Sequence, residues 1–187
     1  MDHLPLMARF NAWANERLYD SVACLPDGAY REERKAFFGS IHRTLNHLLV
    51  VDRLWTGRIR GTDRGIRALD QVLYDDLLAL RAARADEDRQ LVELVDGLSA
   101  PQLAAPVRYR RIIGEGLEEV RAGHVLLTLF NHQTHHRGQV HVLLTQADVT
   151  PPPLDVLFFL EEIGAAGPPG TLAPVPEAHI ALRSGRA

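Results

Sequence analysis

A single cysteine, Cys24, in 187 residues excludes an intramolecular disulfide and any cysteine-rich metal site. Long apolar runs are missing too. Although 46% of the residues are hydrophobic, no stretch approaches the roughly 18 that a membrane-spanning helix requires. The first twenty residues, MDHLPLMARFNAWANERLYD, lack the basic start, apolar stretch and small-residue cleavage site of a secretory signal. The expectation is a cytoplasmic protein with no membrane partner. Lysine occurs once, at Lys35, and the 21 basic and 24 acidic side chains leave a formal charge of −3. With no basic run either, nothing points to a nucleic acid as partner.

Histidine, by contrast, is concentrated. Four of the nine fall in FNHQTHHRGQVH, residues 130–141. The length suits one domain with a real core, and the pattern is helical between Pro and Gly breaks. Helices are expected over residues 5–23, 40–60, 70–96 and 117–145, with Asp70 as the cap of the third and a solvated face along LRAARADEDRQ. The second is apolar nearly all round and so central. PVRYRRIIGEG, residues 106–116, alternates polar and apolar residues as a short extended excursion. PPPLDVLFFLEEIG supports a short last helix, and residues 165–187 form a Pro/Ala/Gly-rich tail beyond a domain of residues 1–164. Four long helices with moderate connections predict an all-α fold, an antiparallel four-helix bundle with those two additions.

A helix advances about 100° per residue, so His136 lies about 40° from His132 and Gln139 about 20° the other way. Val125, Leu129 and Leu143 share that stripe, which is otherwise core. His135 flanks it and His141 points away, so the HH doublet is split. Two imidazoles at i, i+4 on a buried face can chelate a metal, each neutral ring offering one nitrogen. Hydrogen bonding to core neighbours is the alternative role for the pair. The Glu of HExxH is absent, and a third ligand must come from a facing helix. His42 and His47 in the second helix point about 140° apart, and periodicity does not choose between them. Asp52 lies as far round from His47 and is not expected to join. Gln139 orients a ligand ring or bonds across helices. Arg137 and Gly138 are read as packing and surface pairing, with Gly138 permitting close helix approach. Trp13 and Trp55 read as core.

TLNHLLVVDRLWTGRIRG, followed by FNHQTHHRGQVHVLLT and PPPLDVLFFL, resembles the DinB family, related to YfiT-like metalloenzymes, over residues 1–164. That resemblance implies a four-helix bundle, a homodimer and a divalent metal held by three histidines: His47, His132 and His136. For the last two it agrees with the angular argument; for His47 it decides what periodicity leaves open. Zinc or nickel is the expected ion, with iron or manganese after them. Three histidines leave coordination positions open, which implies a metal-dependent hydrolase or a thiol-dependent transferase acting on a small molecule, with a low-molecular-weight thiol as a partner. A non-catalytic metal-binding protein of the stress response is the alternative.

Overall fold

The computed structural model describes residues 3–165. The chain is mostly helical, with one small sheet. In order it forms α1 (His3–Ala23), α2 (Asp27–Arg31), α3 (Ile41–Arg60), α4 (Leu77–Gly97), α5 (Ala100–Ala104), β1 (Pro106–Arg110), β2 (Leu117–Arg121), α6 (Ala122–Gln146) and α7 (Val156–Glu162). One unit ends at Pro153; α7, capped by Asp155, belongs to a separate unit that begins at Leu154. Of the tail expected at residues 165–187, all but Ala165 lies outside the described residues. No helix among the described residues is long and apolar enough to cross a membrane.

The four long helices touch in a ring: α1 on α4, α4 on α3, α3 on α6, and α6 on α1. Leu18, Leu45, Leu49, Leu80, Leu91 and Leu126 are fully enclosed between them. Serine at position 40 starts α3 by accepting from the Arg43 amide (3.2 Å), and Gly61, at φ 68°, ends it in the left-handed turn that glycine adopts without penalty. The last helix of the ring, α6, is preceded by the β1–β2 hairpin, in which Val107 pairs with Val120.

Expectations about two helix starts, the charged face of α4, Arg137 and Gly138 need correction. The helix placed at residues 70–96 begins at Leu77, where Asp76 accepts from the Ala79 amide at 2.8 Å. Residues before it cannot be helical because α3 has taken their backbone groups. Asn46 Oδ1 accepts from the amides of Leu73 (2.8 Å) and Tyr74 (3.0 Å), and its amide donates to the Tyr74 carbonyl. Likewise, residues 117–121 form β2 and not the first turn of α6, so the extended excursion is a hairpin with its tip at residues 111–116. The short helices α2 and α5 were not expected at all, although Ser99, Pro101 and Gln102 form a helix start, with the Ser99 amide donating to Gln102 Oε1 at 2.9 Å.

A further correction concerns charge. LRAARADEDRQ is no solvated face: Arg84, Glu87 and Asp88 are buried. Arg84 pairs with Asp52 (2.8 Å) and Asp88 (2.9 Å), and Asn11 and Asn15 donate to Asp88. Glu87 accepts from Thr56 and Arg64 at 2.9 Å each. Arg137, read as a surface residue, is enclosed with them and donates to Asn11 and Asn15. A belt of charge thus crosses the core and ties all four long helices. Its opposite charges face one another, which offsets much of the cost of burying them, although Asp52 Oδ1 and both Arg84 Nη atoms make no hydrogen bond of good geometry. Gly138 is exposed, and a Cβ there would meet nothing within 4 Å, so it does not serve close packing in this chain.

Candidate metal centre

Two helices bring the three expected histidines together. His47 projects from α3, and His132 and His136 from consecutive turns of α6, which packs against α3. Each offers a ring nitrogen, and these three nitrogens lie within 4.8 Å of one another. His42 does not join them: its Nε2 sits 3.1 Å from the Tyr74 carbonyl, bracing the loop ahead of α4. The doublet splits as its angles require, with His136 enclosed and His135 exposed at the rim. Asp52 and Gln133 turn away from the histidines into the charged belt, where Gln133 donates to Asp52 at 2.6 Å.

The orientation of the rings is set by their outer nitrogens. His47 Nδ1 donates to the Leu69 carbonyl at 2.7 Å, which leaves its Nε2 bare. His136 Nδ1 donates to Gln139 Oε1 at 2.7 Å, and the Gln139 amide reaches His135 Nε2 at 3.2 Å. Gln139 is therefore an orienting residue and not a link between helices. Phe38 stacks on His47, with centroids 4.0 Å apart, and also borders His136. Sequence reading missed Phe38 and the Leu69 carbonyl. Phe38 lies in an irregular segment without periodicity, its one cue being the adjacent aromatic pair just ahead of the Ser40 cap. A backbone carbonyl leaves no mark in a sequence.

His47 Nε2 stands 3.1 Å from His132 Nε2, and His132 Nδ1 is buried without a partner. With the His47 proton on Nδ1, that short contact holds either a proton on His132 or a cation shared by both lone pairs. Two nitrogens bound tetrahedrally at the usual zinc distance stand about 3.3 Å apart, so the His47–His132 pair has the spacing of two ligands on one divalent ion. Burial holds all three imidazoles below the ordinary value of 6.5, His132 at about 3 and His136 at about 4, with the neighbouring histidines adding to the effect. Neutral rings are the form that ligates.

The cluster is open to one side. A cavity of about 690 Å³ is lined by His47, His136, Phe37, Phe38, Asp70 and His135, among others. A second, of about 330 Å³, is lined by His47, His132, Trp55, Arg58 and Tyr109. Ile112 and Ile113, from the hairpin tip, line both. Trp13 is core as expected, whereas Trp55, only partly buried, also walls the smaller cavity. Three histidines this close together can bind a divalent metal, and they lie beside space for a small molecule.

The family model described as "DinB family" matches residues 1–167 of this chain. A curated relative, Protein DinB of Bacillus subtilis (strain 168), is 26% identical over 165 residues, which is 81% of this chain and 90% of that protein.

Proposed function

The chain belongs to the DinB family, and from that premise we propose that it is a divalent-metal enzyme whose ion is held by His47, His132 and His136. The single observation that carries this reading is the convergence of three neutral imidazoles beside two cavities, with no fourth ligand in the cluster among the described residues. Structural sites close with four ligands, and catalytic ones keep a position open. All-nitrogen ligation suits zinc, nickel, iron and copper about equally; zinc or nickel is the ion proposed, with iron or manganese after them. When bound, such an ion supplies a Lewis-acid centre for polarising a substrate group.

The chain's own residues do the rest in this reading. Leu69 and Gln139 hold two rings in the tautomer that presents Nε2. Phe38 shields the His47 face from water. Asp70 and His135, both on the wall of the larger cavity, are the proton-handling groups within reach of a substrate. Their presence favours a hydrolase or a thiol-dependent transferase over a non-catalytic metal-binding protein of the stress response. The fold proposed is an antiparallel four-helix bundle over residues 1–164, working in the cytoplasm as a homodimer.

Metal content of the purified protein tests the ligand set. His47→Ala, His132→Ala and His136→Ala are each expected to lose most of the bound ion; undiminished metal in all three sinks it. An assay of metal-loaded protein against esters and thiol–electrophile pairs tests the chemistry. Turnover that disappears with chelator and returns with metal is the expected result.

A further inference from the structure

The two cavities flanking the histidines differ in chemistry. The larger has an apolar wall of Phe37, Phe38, Ile112 and Ile113. The smaller contains two arginines, Arg58 and Arg111, and no carboxylate. We propose that the substrate carries a carboxylate that docks on Arg58 in the smaller cavity while its reacting end meets the three histidines. This rests on the open-site reading above.

Arg58 is an unusual arginine in this molecule. Arg9, Arg64, Arg67, Arg84 and Arg111 each face an aspartate or glutamate within 3 Å. Arg58 has no carboxylate within ion-pair reach among the described residues. Its guanidinium carbon sits 4.5 Å from the Trp55 ring centre and 4.2 Å from that of Tyr109, and its Nη2 donates to the Arg110 carbonyl at 2.9 Å. Two aromatic rings, at 85° to each other, thus hold the guanidinium in place, and only one of its nitrogens is engaged. Partial burial lowers its pKa, since the cation has lost some of its water and gained no carboxylate in return. A guanidinium without a carboxylate partner, partly desolvated and held in place by two rings, is a preorganised receptor for a planar anion, which it binds through two parallel N–H bonds.

The geometry also sets the length of the ligand. Arg58 follows His47 by eleven residues on α3, a rise of about 16 Å. Helical side chains lean toward the N-terminus, which brings the guanidinium back toward the histidines. Thr128, one turn before His132 on α6, lines the same cavity between them. A carboxylate several bonds removed from the reacting group fits this span, and a two-carbon acid does not.

The test uses zinc-loaded protein and metal-chelating hydroxamates in matched pairs. Suberic and adipic monohydroxamates carry a terminal carboxylate; octanohydroxamic and hexanohydroxamic acids are their neutral counterparts. Calorimetric titration is expected to show the carboxylate member of at least one pair binding tenfold tighter or more. Arg58→Gln is expected to bring that ratio close to one with the neutral hydroxamate bound as before, and Arg58→Lys to keep part of it. Because the ratio is taken within one protein, partial loss of metal in a variant cancels. A ratio near one at both lengths in the unaltered protein overturns the carboxylate inference and leaves the open site standing. A ratio that Arg58→Gln does not change overturns the assignment to Arg58. If neither class of hydroxamate binds, the open-site reading fails and this inference with it. Should Arg58→Gln not fold, Arg58→Lys decides the assignment: a ratio that it leaves unchanged overturns it.

Discussion

Gln139 holds the Nδ1 proton of His136, and that one acceptor decides which nitrogen of the ring is bare. Partners of this kind, one step behind a ligand, are worth about 10–100-fold in metal affinity. Gln139→Leu is therefore expected to weaken metal binding by about that factor in a competition against a chelator, with helicity by circular dichroism unchanged. Equal affinity would mean that the ring is held by packing against Phe38 and not by its hydrogen bond. At this scale the sequence was informative for α6, because a helix of known phase converts spacing into direction. It could not choose between His42 and His47. Both are buried on a helix enclosed nearly all round, and what separates them is the carbonyl each meets, Tyr74 or Leu69, in a loop without periodicity.

Elements were legible where amphipathic rhythm ran long, and misread where a side chain on another helix had claimed the backbone. Residues 70–76 fall in the expected helix, yet Asn46 and His42 hold the backbone of Leu73 and Tyr74 in an irregular loop. The true start of α4 can be tested directly. Asp76→Ala is expected to cost about 1 kcal/mol of stability in urea unfolding, the usual worth of an N-cap, whereas Asp70→Ala costs less than about 0.5 kcal/mol. The buried belt left a signal that was overlooked: Leu80, Leu91 and Val95 define the inner stripe of α4, and Arg84, Glu87 and Asp88 fall on it at helical spacing. Charges in mid-stripe were assigned to water because water is their usual destination. Asp52→Ala, which strips Arg84 of one of its two carboxylates, is expected to destabilise by about 3 kcal/mol, the lower end for breaking a buried pair because Asp88 remains.

For the whole molecule the histidine cluster couples metal, protons and folding. In metal-free protein His132 and His136 stay neutral down to about pH 3 and 4, while in the unfolded chain imidazoles take protons near 6.5. The unfolded state therefore binds more protons between those values. The stability these rings contribute is fully present above pH 6.5 and is lost as pH falls through 4 and then 3. Thermal unfolding of chelator-treated protein should show a melting temperature that drops steadily below pH 6.5; a flat profile from 7 to 4 would contradict the neutral burial of these rings. Adding zinc at 100 times its dissociation constant at pH 7 is expected to stabilise by about 2.7 kcal/mol, read as a rise in that temperature. The hairpin tip has an effect of another kind. Ile112 and Ile113 wall both cavities while contributing no ligand, and they sit on a six-residue turn outside the helical ring. Lengthening, shortening or resurfacing that turn redraws both chambers at once and leaves the three imidazoles where they are. If the proposed enzyme reading holds, a few loop residues suffice to alter which small molecules the two cavities admit, at almost no risk to the scaffold, and libraries for altered selectivity belong at positions 111–116.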